Sequence, residues 1–209
     1  MIWESLYWRR DLLRDAGLVV RWAKKPPSER QSVLLEKKIM LAAYSMRKIF
    51  EAKKLSTRLN EEALECESVP RTENRMTRTN WHKIDFLFDL ERRTQRRVRV
   101  LDLLNQIVHS YIFLFVIKDN NKICGFYIAS DRLKARELLY VPLVHFVRLM
   151  RRVGKDSPPA MSWWIDPGSG EERAFLGTQG EIRQIRHAGS SGPRRHTTLE
   201  LGLRTEKQP

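Results

Sequence analysis

The sequence predicts an α+β fold: N-terminal helices packed on a small antiparallel β-sheet, one further helix, and a flexible C-terminal tail. Three observations carry that expectation. Apolar residues recur at steps of three and four through residues 28–54. A nearly continuous run of β-branched and aromatic residues, "SYIFLFVIK" from Ser110, is followed by Asn120–Asn121 and a second such run, "ICGFYIAS", which together read as a hairpin. Beyond residue 177 large apolar side chains are scarce, so the segment cannot bury enough surface to offset its ordering entropy. We therefore expect a single domain over residues 1–176 and a flexible basic tail over 177–209.

In chain order, residues 2–16 read as a short amphipathic helix with Ile2, Trp3, Leu6, Leu13 and Ala16 spaced for burial and Gly17 as its stop. Pro26–Pro27 separates it from the next helix, because proline disfavours helical backbone in the residue before it. In the second helix, 28–54, Ser28 caps the start and Gln31 completes a capping box. Leu35, Ile39, Ala42, Met46, Ile49 and Phe50 form its apolar stripe. Residues 55–80 lose this periodicity and read as a mostly polar connection. A third helix is expected over about 85–109, with Arg92, Arg96 and Arg99 projecting along one face.

The hairpin at 110–130 is expected at the centre of the sheet, with Gly125 marking a bulge or a close approach. "LLYV" at 138–141 can add a strand. Pro142 suits the first turn of a helix over 142–153, with Leu143, Phe146, Val147 and Met150 inward and Gly154 ending it. A last hairpin over 161–176 turns around Pro167–Gly170.

The chain has 39 Lys and Arg against 25 Asp and Glu, a formal net charge of +14. A compact molecule with that excess repels itself, which points to a polyanionic partner: nucleic acid, with RNA favoured. The cationic residues cluster twice. Arg92, Arg93, Arg96, Arg97 and Arg99 form one group, and Arg148, Arg151, Arg152 and Lys155 the other. Both are candidate phosphate contacts, since guanidinium presents a fork of donors to phosphate oxygens.

There are 2 cysteines. Cys66 lies between Glu65 and Glu67, whose charge is expected to raise its pKa, and Cys124 lies in an apolar run. No disulfide framework or metal spacing is visible, so no metal and no cofactor is expected. The first fifteen residues carry charges throughout and lack the apolar centre of a signal peptide, and no run reaches the ~20 residues that span a bilayer. A cytoplasmic protein with no membrane partner is the expectation.

"LLNQIVHSY", Leu103–Tyr111, resembles the signature region of the HEPN superfamily of small helical RNases and RNA-binding modules. The resemblance implies that Asn105 stands at the family's polar position and His109 at its catalytic histidine. It further implies a homodimer in which histidine and arginine meet across a groove and cleave RNA without metal: histidine shuttles the proton while arginine stabilises phosphate charge. Leu104 occupies the family's arginine position, so the arginine would come from Arg92–Arg99 or a second subunit. Metal-binding His-Glu-x-x-His, a nucleophile elbow and a dinucleotide glycine fingerprint are absent from the sequence. The expectation is therefore a basic, nucleic-acid-associated protein without an evident catalytic site, of the mobile-element or defence kind that such modules resemble. The alternatives are a metal-independent RNase using His109 and a module that binds an acidic partner protein.

Overall fold

The computed structural model describes residues 2–118, 120–166, 168–188 and 197–200, and its fold is α+β. The helices are α1 (Ser5–Ala23), α2 (Glu29–Glu51), α3 (Thr57–Asn60), α4 (Ile84–Leu87), α5 (Val100–Val108), α6 (Leu143–Lys155) and α7 (Gln179–Ala188). The strands are β1 (Ala63–Pro70), β2 (Thr94–Arg99), β3 (Ser110–Ile117), β4 (Ile123–Ser130), β5 (Glu137–Pro142), β6 (Ala160–Ile165), β7 (Glu172–Gly177) and β8 (Thr197–Glu200). Contacts group them into two units, Met1–Ala52 with Glu62–Lys155 and Lys53–Glu61 with Asp156–Pro209. The expected single domain over 1–176 is thus divided, with residues 53–61 and 156–176 in the second unit.

The first unit is built on a five-stranded antiparallel sheet in the order β2-β1-β5-β4-β3. Helices α5 and α6 pack on β4, α1 packs on α6, and α2 contacts α1 and α5. Phe126 of β4 meets Phe146 of α6 edge to face, with ring centroids 5.6 Å apart. Each of these fully buried rings contributes about 1.5–3 kcal/mol relative to exposure. The opposite face is covered by the long β1–β2 connection, whose Leu87 and Phe88 are buried with Val69, Ile112, Tyr127, Ala129 and Leu138. Backbone bonds Thr72 N–H to Leu87 O (2.9 Å) and Asp89 N–H to Pro70 O (3.0 Å) tie that connection down.

Several boundaries differ from the sequence expectation, each for a physical reason. Helix α1 continues through Gly17, because Leu12, Ala16, Val19 and Ala23 carry one buried stripe past it. Packing on that stripe outweighs the ~1 kcal/mol that a helical glycine costs. The hydroxyl of Ser28 accepts from Gln31 N–H as expected (3.3 Å), but the Gln31 amide donates to Trp22 O instead of returning to Ser28. Helix α2 stops at Glu51 because Lys53 turns to a positive φ of 52°. Gly154 does not end α6: it is buried within the helix, where a Cβ would come within 2.7 Å of the Leu13 side chain.

The expected helix over 85–109 is the main correction. Only Ile84–Leu87 and Val100–Val108 are helical, and Thr94–Arg99 is strand. Clustered arginines on a helix would repel one another. As strand β2 they point to alternate faces, with Arg97 opposite Glu65 of β1 and Arg96 paired with Glu137 of β5. The supposed polar connection 55–80 supplies β1, an inner strand paired on both sides. The 110–130 hairpin forms but lies at one end of the sheet: β3 is an edge strand, and β4 is the one buried on both faces.

In the second unit, β6 pairs with β7 on one side and β8 on the other. The Asp156 carboxylate accepts from Ser56 N–H at 2.6 Å, and Thr57 Oγ1 accepts from Leu176 N–H at 2.9 Å. Within the expected tail, α7 and β8 are regular elements. Thr178 and Glu181 form a reciprocal cap that starts α7, and Thr197–Glu200 obtains ladder bonds from β6. Residues 189–196 and 201–209 of the expected tail lie outside the described residues.

Candidate functional site

Strand geometry redistributes the first arginine cluster. Arg96 shares a sheet face with Thr94 and Val98, whereas Arg97 and Arg99 lie on the opposite face. The expected helical row Arg92–Arg96–Arg99 therefore does not exist. Three of the nine candidate phosphate contacts are held by carboxylates: Arg93 by Glu67, Arg96 by Glu137 and Arg152 by Glu62. Arg93 also lies over Tyr127 and Tyr140, 5.8 and 5.9 Å from their ring centroids, and so serves packing as much as charge. Arg92, Arg97, Arg99, Arg148, Arg151 and Lys155 are exposed, with no ion pair among the described residues.

The fold brings members of both clusters together. Arg97 of β2 and Arg148 and Arg152 of α6 line one pocket of about 210 Å³ with Glu62, Glu65 and His145. His145 is fixed by the end of β5. Pairing of β1 with β5 stops at Glu67–Tyr140, the chain then enters α6, and the Glu65 carbonyl accepts instead from His145 Nδ1 at 3.1 Å. That bond leaves Nε2 as the ring's other polar atom. Glu62 uses one carboxylate oxygen on Arg152, while its buried Oε2 has no hydrogen-bond partner. The pocket can thus hold an anion between the two exposed guanidinium groups of Arg97 and Arg148.

Arg148 also belongs to a larger groove of about 580 Å³, lined by α1, α6, β4 and the β3–β4 turn. Lys24, Lys118, Lys122, Arg148 and Arg151 are its charged lining residues, and no described lining residue is acidic. The two depressions adjoin at Arg148, which lines both.

Asn105 and His109 do not share a site. Asn105 lines a separate depression with Arg96, Arg97, Arg99 and Asp102, and its buried Oδ1 has no partner. His109 is exposed at the C-terminal end of α5, where its N–H bonds Asn105 O and its Nε2 accepts from Arg47 Nη1 at 3.1 Å. The arginine beside this histidine is thus Arg47 of α2, which the sequence analysis did not single out. Leu104 is fully buried. Among the described residues, no group of three His, Cys, Asp or Glu side chains could hold a metal ion, and no helix is long and apolar enough to cross a membrane.

Burial pushes the Cys66 thiol up to about 12, only partly opposed by Arg96. The direction matches the sequence expectation, but the cause does not. Strand alternation puts Glu65 and Glu67 on the other face. Sequence reasoning also missed His145, Lys24, Lys118 and Lys122, which fall outside the two arginine-rich clusters and join Arg148 only in the fold. Comparison with known proteins finds no family model, no curated protein and no solved structure that matches this chain.

Proposed function

We propose that the protein is a nucleic-acid-binding protein, with RNA as the favoured partner, and that Arg97, Arg148 and Arg151 are its principal phosphate contacts. One observation carries this reading: arginines fifty residues apart in the chain line one pocket, and that pocket shares Arg148 with a second depression whose described charged lining is wholly cationic. Neighbouring phosphates on a strand need such a row of unpaired donors.

The test is fluorescence anisotropy with a short labelled RNA over a range of salt concentrations. Affinity should fall linearly on a log–log plot as salt rises, because bound counterions are released. Arg97→Ala, Arg148→Ala and Arg151→Ala should each weaken binding and flatten the slope by about 0.7 per lost single-strand phosphate contact. Arg92→Ala should leave binding unchanged, since Arg92 lines neither depression. Salt-independent binding, or equal weakening by Arg92→Ala, would overturn the reading.

A further inference from the structure

The larger groove has a second property that phosphate contacts do not use: its floor is aliphatic. Val20 of α1, Ile123 of β4, and Leu143, Val144 and Val147 of α6 line it. Ile123, Leu143 and Val147 are 5%, 6% and 4% exposed, whereas Val144 is 60% exposed to the opening. The lining has no aromatic ring on which a base could stack. Its one polar floor side chain, Cys124, already donates to Val116 O at 3.5 Å and accepts from Tyr140 at 3.6 Å. A buried base edge would therefore find no side-chain partner there and would lose its hydrogen bonds to water. An alkyl chain has no such groups to satisfy. Around this floor stand Lys24, Lys118, Lys122, Arg148 and Arg151. Asp119, in the same turn, lies outside the described residues.

We propose that this groove binds a single-chain anionic amphiphile, with an aliphatic tail on the Val20–Ile123–Val147 floor and a carboxylate or phosphate head between Arg148 and Arg151. The volume of about 580 Å³ falls within the usual range for small-molecule sites. This inference stands apart from the nucleic-acid reading, although the two ligands would share Arg148 and Arg151.

The experiment titrates the full chain with dodecanoate below its micelle concentration, followed by calorimetry, with dodecanol and dodecyltrimethylammonium as controls of equal tail length. Dodecanoate should bind at one site. Dodecanol should bind at least about tenfold more weakly, because a hydroxyl forfeits the charge-assisted hydrogen bonds to guanidinium, and the cation weaker still. Val144→Asp, at an exposed lining position, should abolish binding, and Lys24→Ala with Arg151→Ala should weaken it. Bound dodecanoate should also slow alkylation of Cys124. Equal affinity for the three probes, undiminished binding in Val144→Asp, or unprotected Cys124 would overturn the proposal. So would binding to anionic phospholipid vesicles with none to monomeric dodecanoate, since the groove would then be part of a membrane-facing surface. RNA binding measured without dodecanoate separates the two ideas: its absence in a chain that binds dodecanoate overturns the nucleic-acid reading and supports the groove assignment.

Discussion

Glu137 is held by Arg96 and Ser68 on one face of the sheet. Burial raises its carboxyl pKa, but the hydrogen bonds from Arg96 and Ser68, together with the positive charges of Arg96 and Arg136, leave it below the ordinary glutamate value. A carboxylate depressed in the native state stabilises the fold above its unfolded pKa, and that contribution disappears as the pH falls through the native value. Arg96→Ala should therefore lower stability at neutral pH by about 0.5–1 kcal/mol, a modest loss because the Arg96 side chain is 46% exposed and solvent screens the pair. The variant's stability should also depend less on pH through the acid range, which urea denaturation at several pH values would measure. Little at this scale was legible in the sequence. The cap at Ser28 and the close approach at Gly125, where a Cβ would strike the Tyr140 ring, both follow from local residue type. The partners of Glu137 and Cys66 come from strands far away in the chain, and no local pattern names them.

Among the elements, long periodic segments were readable and short charged ones were not. Helix α2 and the β3–β4 hairpin lie close to their expected bounds because each carries a pattern longer than its irregularities. Strand β1 was missed because its pattern, with Leu64, Cys66 and Val69 buried, is diluted by two glutamates and a serine. Glu67 finds its partner, Arg93, only when the segment leading into β2 is brought alongside. An edge strand rich in arginine also resists pairing with another chain. Helix α7 had left a readable sign, the Thr178-x-x-Glu181 capping box, obscured by the polar composition around it. Thr178→Ala should destabilise that helix by about 1 kcal/mol, since it removes the acceptor for Glu181 N–H. Hydrogen exchange at the α7 amides should accelerate, with those of α2 unchanged.

For the whole molecule, the net charge of +14 means that the folded state carries considerable self-repulsion. The thermal midpoint should rise between about 0.01 M and 0.15 M salt, as the screening length shrinks from about 30 to 8 Å. A midpoint that falls would mean that ion pairs such as Arg152–Glu62 dominate instead. The fold class was legible because it rests on element types. The division into two units was not, since it depends on residues 53–61 joining residues from 156 onward. That discontinuity bears on how the polypeptide is made. Leu55 and Leu59, buried at 0% and 3% exposure in the finished molecule, emerge from the ribosome about a hundred residues before Asp156 and the strands that follow. Throughout that interval the early segment waits without its partners, while residues 62–155 can already assemble their sheet. Synthesis that pauses before residue 156 would prolong the exposure of both leucines to chaperones and proteases.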